Sequence, residues 1–389
     1  MKRIGSMQHA HAQPSAHRHR WLTTGREAYL RMLEAIGQAR RSIRLETYIY
    51  LPGYPGDAVR EALLLARERG VEVSVLLDAW GSVDLPRGYL DALVEAGGRV
   101  RFFNPLAIWS PLIRNHRKLL VCDGETAFIG GFNISPEEAG DGVTSGWADL
   151  GMEISGPVAA ELAASFDSIF DAAGHHRVML APPRTGRGGK PKYRPEPMLL
   201  ANGPLWRRSP LRHALVRDFR KAKREILLIS AYFLPTWGVR RALIRAARRG
   251  CRVRIVLAGK SDVPLSHLAG RHLYRRFLRA GIEIYEYQPQ ILHTKLMVAD
   301  QAVHVGSANL DARSLNINCE LLVRTGEPAA VLEARRIFRD YVAHSRRILP
   351  NEWAAARGVW QRLKENVAYF LLARLDPYFA RRSAGGGRR

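Results

Sequence analysis

The sequence has few cysteines and no long apolar run. Its three cysteines, Cys122, Cys251 and Cys319, are scattered along 389 residues, and no two have the spacing of a metal site. They predict reduced thiols in a protein core rather than a disulfide framework. The longest apolar stretch without a charged residue runs from Ile226 to Val239 and contains a proline and a glycine. Because a membrane-spanning helix needs about 20 apolar residues, the sequence predicts no such helix.

Acidic residues are scarce relative to basic ones. There are 36 Asp and Glu against 60 Lys and Arg, which gives a formal net charge of +24. Such an excess favours polyanionic partners, either nucleic acid or an anionic membrane. Apolar residues make up 47 % and charged residues 25 % of the chain, as in folded proteins. This composition excludes a disordered or collagen-like chain, and the length suits about two domains.

The predicted secondary structure occurs twice along the chain. In the first half, a helix from Tyr29 to Ala39 precedes a strand at Ser42–Tyr50. In the second half, a helix from Leu211 to Lys221 precedes a strand at Glu225–Phe233. Further helices and strands alternate after each pair, which predicts mixed sheets covered by helices. We therefore expect an α/β fold with two similar lobes, each a mixed β-sheet flanked by helices, related by pseudo-twofold symmetry.

Composition also predicts the boundaries between segments. Proline, glycine and basic residues fill positions 182–192, which is typical of a flexible linker. The predicted segments are a disordered N-terminal tail (1–20), a first lobe (21–178), a linker (179–200), a second lobe (201–348), and a C-terminal basic amphipathic helix with its tail (349–389).

A second repeated pattern carries groups suited to catalysis. Its first copy consists of His116, Lys118, Asp123 and Asn133, and its second copy of His293, Lys295, Asp300, Ser307 and Asn309. Side chains two residues apart on a strand point to the same face, so each His-x-Lys pair converges on one small volume suited to an anion. One copy alone is compatible with an ordinary surface, whereas two equivalent copies in a duplicated chain favour a site.

Placed face to face, the two copies would form a site for a phosphodiester. The two lysines, the amides of Asn133 and Asn309 and the hydroxyl of Ser307 would bind its non-bridging oxygens. One histidine can attack phosphorus while the other protonates the leaving alkoxide. We expect no metal and no cofactor, because the lysines already supply the positive charge that a metal would bring.

Carboxylates near each copy have two interpretations. Asp149 and Glu320 each begin a predicted strand, where they would orient a histidine ring by a hydrogen bond or serve as ordinary charges at a strand edge. Asp123 and Asp300 lie at the far ends of their strands, so hydrogen bonds that hold a hairpin are favoured over substrate contact.

The paired His-x-Lys-x4-Asp signatures, each followed by Gly-x-x-Asn, resemble those of the phospholipase D superfamily. From about Trp21 to Arg347 the chain is similar to bacterial cardiolipin synthases of the short type without N-terminal membrane spans. The resemblance implies a catalytic signature made of His116, Lys118, Asp123, His293, Lys295 and Asp300. It also implies that His116 becomes a phosphohistidine and that His293 acts first as general acid and then as base.

The same resemblance implies a metal-independent transfer of a phosphatidyl group. One phosphatidylglycerol would donate it and release glycerol, and a second would accept it to give cardiolipin. A phospholipase D or nuclease that uses water as acceptor is the alternative, and a non-enzymatic membrane-binding module is a third hypothesis.

Two apolar segments favour a lipid surface over nucleic acid as the partner. Trp109, Leu112 and Ile113 precede the first signature and would enter a bilayer or pack in the core. Apolar side chains at helical spacing near the C-terminus, flanked by basic residues, would lie on an anionic membrane or pack on the body; they are Trp360, Leu363, Val367, Phe370, Leu371 and Leu375. The basic run 240–260 suits either partner. We expect a peripheral protein of the bacterial cytoplasmic membrane.

Overall fold

The computed structural model describes residues 18–104, 113–174, 197–203, 209–355 and 357–375, which form two α/β lobes. The elements of the first lobe are β1 (Arg18–Leu22), α1 (Gly25–Gln38), β2 (Ser42–Thr47), α2 (Gly56–Glu68), β3 (Glu72–Asp78), α3 (Asp91–Glu95), β4 (Arg99–Phe103), β5 (Leu119–Cys122), β6 (Thr126–Gly130), a 3-10 helix (Pro136–Glu138), β7 (Gly151–Ser155) and α4 (Pro157–Gly174).

The second lobe repeats this order with short additional elements inside it and further ones at its C-terminal end. Its elements are β8 (Met198–Asn202), α5 (Pro210–Lys221), β9 (Glu225–Ser230), β10 (Phe233–Leu234), α6 (Trp237–Arg248), β11 (Arg252–Ala258), α7 (Pro264–His272), α8 (Tyr274–Leu278), β12 (Glu283–Tyr287), β13 (Lys295–Ala299), β14 (Ala302–Gly306), β15 (Leu310–Asp311), α9 (Ala312–Asn316), β16 (Glu320–Thr325), α10 (Pro328–Ala343), β17 (Ser345–Ile348), α11 (Pro350–Ala355), α12 (Val359–Phe370) and a π-helical turn (Leu371–Leu375).

The helix α1 shows how local sequence forms these elements. The side chain of Thr24 accepts a hydrogen bond from the backbone N–H of Glu27 at 3.1 Å, which caps the first turn. Tyr29, Met32 and Ile36 follow at helical spacing and are buried against the first sheet. The cap and the apolar stripe together fix where the helix begins and which face it presents to the core.

The two sheets share one strand order when the second is read from its other edge, and the second sheet has β17 as an additional edge strand. The first sheet runs β1-β7-β6-β5-β2-β3-β4 and the second β17-β12-β11-β9-β13-β14-β16-β8. In the first sheet, β2, β3 and β4 pair in parallel, and β5, β6 and β7 pair antiparallel. In the second sheet, β9, β11 and β12 pair in parallel, and β13, β14 and β16 pair antiparallel. The prediction of two similar mixed sheets flanked by helices is therefore confirmed.

Two predicted boundaries differ from the structure. Residues 18–20 were assigned to the N-terminal tail, but they begin β1, which pairs with β7. Residues 198–200 were assigned to the linker, but they begin β8, which pairs with β16. Both are edge strands whose pairing partners lie far away in the sequence, so composition alone did not reveal them. The remainder of the tail, residues 1–17, and of the linker, up to residue 196, lie outside the described residues.

One hydrophobic core joins the inner faces of both sheets. It contains Leu119 of β5, Leu296 of β13, Phe166 of α4 and Phe338 of α10, all buried. Helices α1 and α2 cover the outer face of the first sheet, and α5 and α6 cover that of the second. Burying each such side chain contributes roughly 1.5–3 kcal/mol, so the shared core holds the lobes against each other.

Backbone hydrogen bonds also cross between the lobes beside each His-x-Lys segment. The N–H of His116 donates to the carbonyl of Cys319 at 3.0 Å, and the N–H of Cys319 donates to the carbonyl of Arg114 at 2.9 Å. Equivalently, the N–H of His293 donates to the carbonyl of Ala148 at 2.8 Å. Each bridge joins the histidine segment of one lobe to the carboxylate segment of the other.

Of the apolar residues before the first signature, the structure describes Ile113, which does not reach the surface. Ile113 is only 1 % exposed and belongs to the shared core, so of the two alternatives for this residue the core packing is confirmed. Its branched side chain fills space beside the inner face of the first sheet. Trp109 and Leu112 lie outside the described residues.

The C-terminal segment forms α11, α12 and a π-helical turn instead of a single helix. Helix α12 packs on α7 through Ala368, which is buried with Leu234 and Ala269. The predicted apolar stripe lies on the opposite side and is 39–76 % exposed at Trp360, Leu363, Val367, Phe370 and Leu371. The side chain of Leu375 and residues 376–389 lie outside the described part. None of the described helices has both the length and the apolar character needed to cross a bilayer.

Candidate active site

A cavity of about 450 Å³ opens where the two signature copies meet. His116 and His293 both line it, together with Asn133 and Asn309. The crossed backbone bridges and the shared core bring these segments together from opposite lobes. The structure therefore places both imidazoles on one space large enough for a phosphodiester group.

Each lysine is buried beside the histidine that precedes it by two residues. The ammonium group of Lys118 donates to the carbonyl of His116 at 2.9 Å, and that of Lys295 donates to the carbonyl of His293. Burial and the charge of Lys295 lower the pKa of Lys118 to about 7, and burial lowers the pKa of Lys295. Two buried lysines in one site favour the binding of an anion, whose charge would stabilise their ammonium forms.

Each imidazole is hydrogen-bonded to a carboxylate of the opposite lobe. Nδ1 of His116 lies 3.2 Å from a carboxylate oxygen of Glu320, and Nδ1 of His293 lies 2.6 Å from Oδ2 of Asp149. Both carboxylates are buried, so neither is an ordinary strand-edge charge. A carboxylate at Nδ1 holds the proton there and leaves Nε2 with a free lone pair.

Burial lowers the pKa of both histidines. For His116 the charge of Lys118 adds to this effect while Glu320 opposes it, and for His293 the charge of Lys295 adds while Glu138 opposes it. Burial also raises the pKa of Asp149 to about 6, although Lys295 opposes that shift. In the free site, both imidazoles are therefore neutral near pH 7, which is the form that can act as a nucleophile.

Sequence analysis missed Glu138, a buried carboxylate in the 3-10 helix. It lies 3.5 Å from Nδ1 of His293 and accepts hydrogen bonds from the backbone and side-chain N–H groups of Asn133 at 2.8 and 2.5 Å. The corresponding place after Asn309 in the second copy is held by Ser314, so the duplication gave no signal for it. The one available signal was a pair of acidic residues, Glu137 and Glu138, four and five positions after the motif asparagine Asn133.

Glu138, Asp149 and His293 have ligand atoms within 4.8 Å of one another, a spacing that a metal ion could use. However, the ammonium group of Lys295 lies 3.8 Å from Asp149 and already places a positive charge in this cluster. The cluster therefore suits a proton better than a divalent cation.

The two asparagines line the cavity but already use part of their amides. Oδ1 of Asn133 accepts from the backbone N–H of Ile49 at 3.2 Å, while its amide N–H donates to Glu138. Oδ1 of Asn309 accepts from the backbone N–H of Tyr232 at 3.4 Å. The two copies are thus not equivalent: Asn133 is committed to Glu138.

Ser307 lies behind the cavity. Its hydroxyl donates to Oε2 of Glu320 at 2.5 Å and accepts from the backbone N–H of Leu321 at 3.0 Å. The side chain is fully buried. This geometry makes Ser307 a partner of the carboxylate that orients His116, and not a group that meets a substrate phosphate.

The aspartates of the two signatures also lie away from the cavity. Asp123 accepts hydrogen bonds from the backbone N–H groups of residues 40–42 at 2.7–3.0 Å, and Asp300 accepts from those of residues 223–225 at 2.8–3.0 Å. Their φ angles of 56° and 49° place both in the left-handed region at the start of a hairpin turn. They hold β2 and β9 against these hairpins, as the local-hydrogen-bond interpretation predicts, and do not touch the reacting groups.

The fold and site together define a phospholipase D-like enzyme. The family model described as "Cardiolipin synthase, PLD-like domain" matches residues 32–172 and 215–342, which covers both lobes. The chain belongs to this family, which supports a phosphatidyltransferase activity and confirms the resemblance seen in the sequence.

Individual relatives agree with this assignment. Cardiolipin synthase B of Salmonella typhi is 33 % identical over 310 residues, which cover 77 % of this chain and 74 % of that protein. The major cardiolipin synthase ClsA of Bacillus subtilis is 30 % identical over 357 residues, which cover 90 % of this chain and 74 % of that protein.

A solved structure with the same fold is the phosphatidylserine synthase of Haemophilus influenzae Rd KW20. Its TM-score is 0.66 at 14 % identity, over 93 % of this chain and 94 % of that one. At this identity the likeness shows the fold, which extends over both lobes.

Proposed function

We propose that this enzyme transfers a phosphatidyl group from one phosphatidylglycerol to another through a phosphohistidine and so makes cardiolipin. The observation that carries the proposal is the crossed pairing of each imidazole with a carboxylate of the opposite lobe, around one cavity that both imidazoles line. Two histidines with separate partners can divide the roles of nucleophile and proton donor. The similarity to cardiolipin synthases of Salmonella typhi and Bacillus subtilis supports this product.

In the first step, Nε2 of His116 attacks phosphorus and the bond to the glycerol headgroup breaks. The leaving oxygen takes the electron pair of that bond and a proton from His293. Two carboxylates, Asp149 and Glu138, lie within 2.6 and 3.5 Å of His293, and they favour its protonated form once the substrate phosphate offsets the lysine charges. In the described part of the chain His116 pairs with one carboxylate, Glu320, and it is therefore the better nucleophile of the two.

In the second step, the neutral His293 takes the proton of a hydroxyl on the incoming phosphatidylglycerol. That oxygen attacks phosphorus, the nitrogen–phosphorus bond breaks, and the electron pair returns to His116. Lys118 and Lys295 stabilise the charge on the non-bridging oxygens in both steps.

Aromatic rings beside the histidines favour an alcohol over water as acceptor. The ring of Tyr48 packs 5.2 Å from that of His116, and Trp147 packs 5.3 Å from His293, with both distances measured between ring centroids. These rings cover part of each imidazole and so reduce its contact with water. The arrangement therefore favours transfer over hydrolysis.

The test is incubation of the purified protein with phosphatidylglycerol vesicles in the presence of a chelator, followed by lipid analysis. We expect cardiolipin and glycerol in equal amounts. With a donor labelled at its phosphate, the enzyme should carry an acid-labile label on its phosphohistidine. His116→Ala should abolish both the turnover and this label. Phosphatidic acid as the sole product would establish a hydrolase, and DNA cleavage without lipid turnover would establish a nuclease. Loss of activity with chelator would contradict the metal-independent step.

We further propose that α12 places the enzyme on the surface of the bacterial cytoplasmic membrane. Its exposed apolar stripe ends at the π-helical turn, where Leu372 lines the active-site cavity. Trp80 and Val263 line the same cavity and are 51 % and 40 % exposed. An apolar surface that leads to the mouth of the site would let a lipid enter from the bilayer.

Vesicle sedimentation tests this membrane contact. Phe370→Glu places a charge in the exposed stripe and should weaken binding to phosphatidylglycerol vesicles at least tenfold. The control is Leu332→Glu, because Leu332 is also exposed (65 %) but lies on α10. Equal binding by both variants and the unmodified protein would contradict the proposed orientation.

A further inference from the structure

A second cavity, of about 580 Å³, lies on the second lobe between α6 and α8. Seven arginines line it, four from α6 and three from α8 and the residue that follows it, and no carboxylate does. Its volume is within the range typical of ligand sites. It shares no lining residue with the active-site cavity.

The arginines of this cavity have no carboxylate partner among the described residues. None of the seven forms an ion pair with a carboxylate in the described part of the chain. Nε of Arg240 is buried without any hydrogen-bond partner, and the guanidinium of Arg241 lies 4.7 Å from the ring centre of Trp237. Elsewhere on this lobe arginines do pair, as Arg254 does with Glu225. The seven arginine side chains thus give the cavity a high local positive charge, which a bound anion would neutralise.

The planar guanidinium group, with its fork of N–H donors, suits phosphate oxygens. Two parallel N–H···O bonds to one phosphate are stronger and more directional than contacts from lysine. The number of arginines exceeds what a single carboxylate ligand would need. The chemistry of the cavity therefore points to a phosphate-bearing ligand.

The neighbourhood of the cavity indicates where that phosphate comes from. The helix α12 is attached to its rim: Arg240 donates to the hydroxyl of Tyr369 at 2.7 Å, and the ring of His272 stacks on that of Tyr369 at 4.3 Å. Nδ1 of His272 lies 2.7 Å from Oδ1 of Asn366. Phe370 lies four residues after Asn366, on an adjoining face of the same helix, and belongs to the exposed stripe.

We propose that this arginine cavity binds the phosphate of an anionic phospholipid that is held in the bilayer and is not consumed. A headgroup in the cavity would have its acyl chains beside the exposed stripe of α12 and the exposed ring of Trp237. The bound lipid would hold the second lobe on the membrane with the active-site mouth facing the lipid. The proposal rests on the membrane contact of the proposed function but not on its reaction.

The test compares two double variants that each remove two positive charges. Arg245→Gln/Arg276→Gln alters the cavity, and Arg26→Gln/Arg339→Gln alters exposed arginines on α1 and α10. Binding is measured by sedimentation with phosphatidylcholine vesicles, with and without phosphatidylglycerol. Because an arginine near an anionic surface contributes about fivefold to binding, we expect the cavity variant to bind phosphatidylglycerol vesicles about 30-fold more weakly and the control variant within about twofold of the unmodified protein.

Two further measurements separate the possible outcomes. A short-chain phosphatidylglycerol that dissolves as a monomer can react without membrane binding. Its turnover should be the same in both variants as in the unmodified protein, which distinguishes a loss of membrane binding from a loss of the reaction itself. Equal weakening in both variants, or no weakening in the cavity variant, would overturn the proposal. Inorganic phosphate that abolishes vesicle binding at concentrations similar to those of the lipid would also overturn it, since the cavity would then take a soluble anion.

Discussion

Replacing Asp149 by asparagine tests the division of roles between the two histidines. The carboxylate of Asp149 lies 2.6 Å from Nδ1 of His293 and 3.8 Å from the ammonium of Lys295. Asparagine has almost the same shape but no charge, so it removes the charge-assisted hydrogen bond and leaves the packing in place. Such a bond contributes about 1.5–3 kcal/mol, which corresponds to a loss of about 10- to 150-fold in a step that needs protonated His293.

The assay uses two donors that differ only in their leaving group. Release of glycerol needs a proton from His293, whereas release of p-nitrophenol from the matched phosphatidyl ester does not, because p-nitrophenolate is already stable as an anion. We therefore expect Asp149→Asn to slow the first turnover with phosphatidylglycerol by about 10- to 150-fold and to leave the nitrophenol burst nearly unchanged.

The matched control is Glu320→Gln in the other half of the site. Glu320 holds His116, the proposed nucleophile, so its variant should slow both donors to a similar extent. The opposite pattern, with Glu320→Gln sensitive to the leaving group and Asp149→Asn insensitive to it, would reverse the assignment of His116 and His293. Unchanged rates in both variants would show that the crossed pairs have no part in catalysis.

Two further predictions concern pH and stability. Burial and the charge of Lys118 lower the pKa of His116 from its usual value of 6.5, so its neutral form persists below that pH. The rate of the nitrophenol burst should therefore stay at its plateau at pH 6.5 and fall only as the pH drops through the lowered pKa. A burst rate that has fallen to half at pH 6.5 would contradict this. Asp300→Ala removes the acceptor for three backbone N–H groups, so it should reduce the free energy of unfolding, measured in urea, by about 1–3 kcal/mol. The burst rate should stay unchanged. A burst rate lowered as in His116→Ala would give Asp300 a direct role in the chemistry.

Residues that occur twice were the most accessible to sequence analysis. His116 and His293 stand at equivalent places in the two halves and both line the active-site cavity. The same comparison could not find Glu138, because Ser314 occupies the matching place in the second copy. A duplicated pattern reveals what both halves kept and gives no signal for a residue that only one half uses.

Short-range sequence patterns also did not reveal hydrogen-bonding, strand-pairing or packing partners that lie elsewhere in the chain. Ser307 follows the second signature like a phosphate ligand, yet its hydroxyl is bonded to Glu320. The edge strands β1 and β8 exist because β7 and β16 offer them free backbone groups, a condition set by sheet order rather than by local composition. The apolar stripe of α12 was visible in the sequence, but which side of that helix packs on α7 was not.

The sequence by itself determined the two-lobe α/β fold, the His-x-Lys geometry within each lobe and the basic character of the surface. These depend on strand and helix periodicity and on composition, which are properties of neighbouring residues. Only the tertiary structure decided that His116 is held by Glu320 and His293 by Asp149, across the boundary between the lobes. That pairing, and the burial that lowers the pKa of both imidazoles, arise from packing two sheets face to face, which brings together groups that are about 150–200 residues apart in the chain.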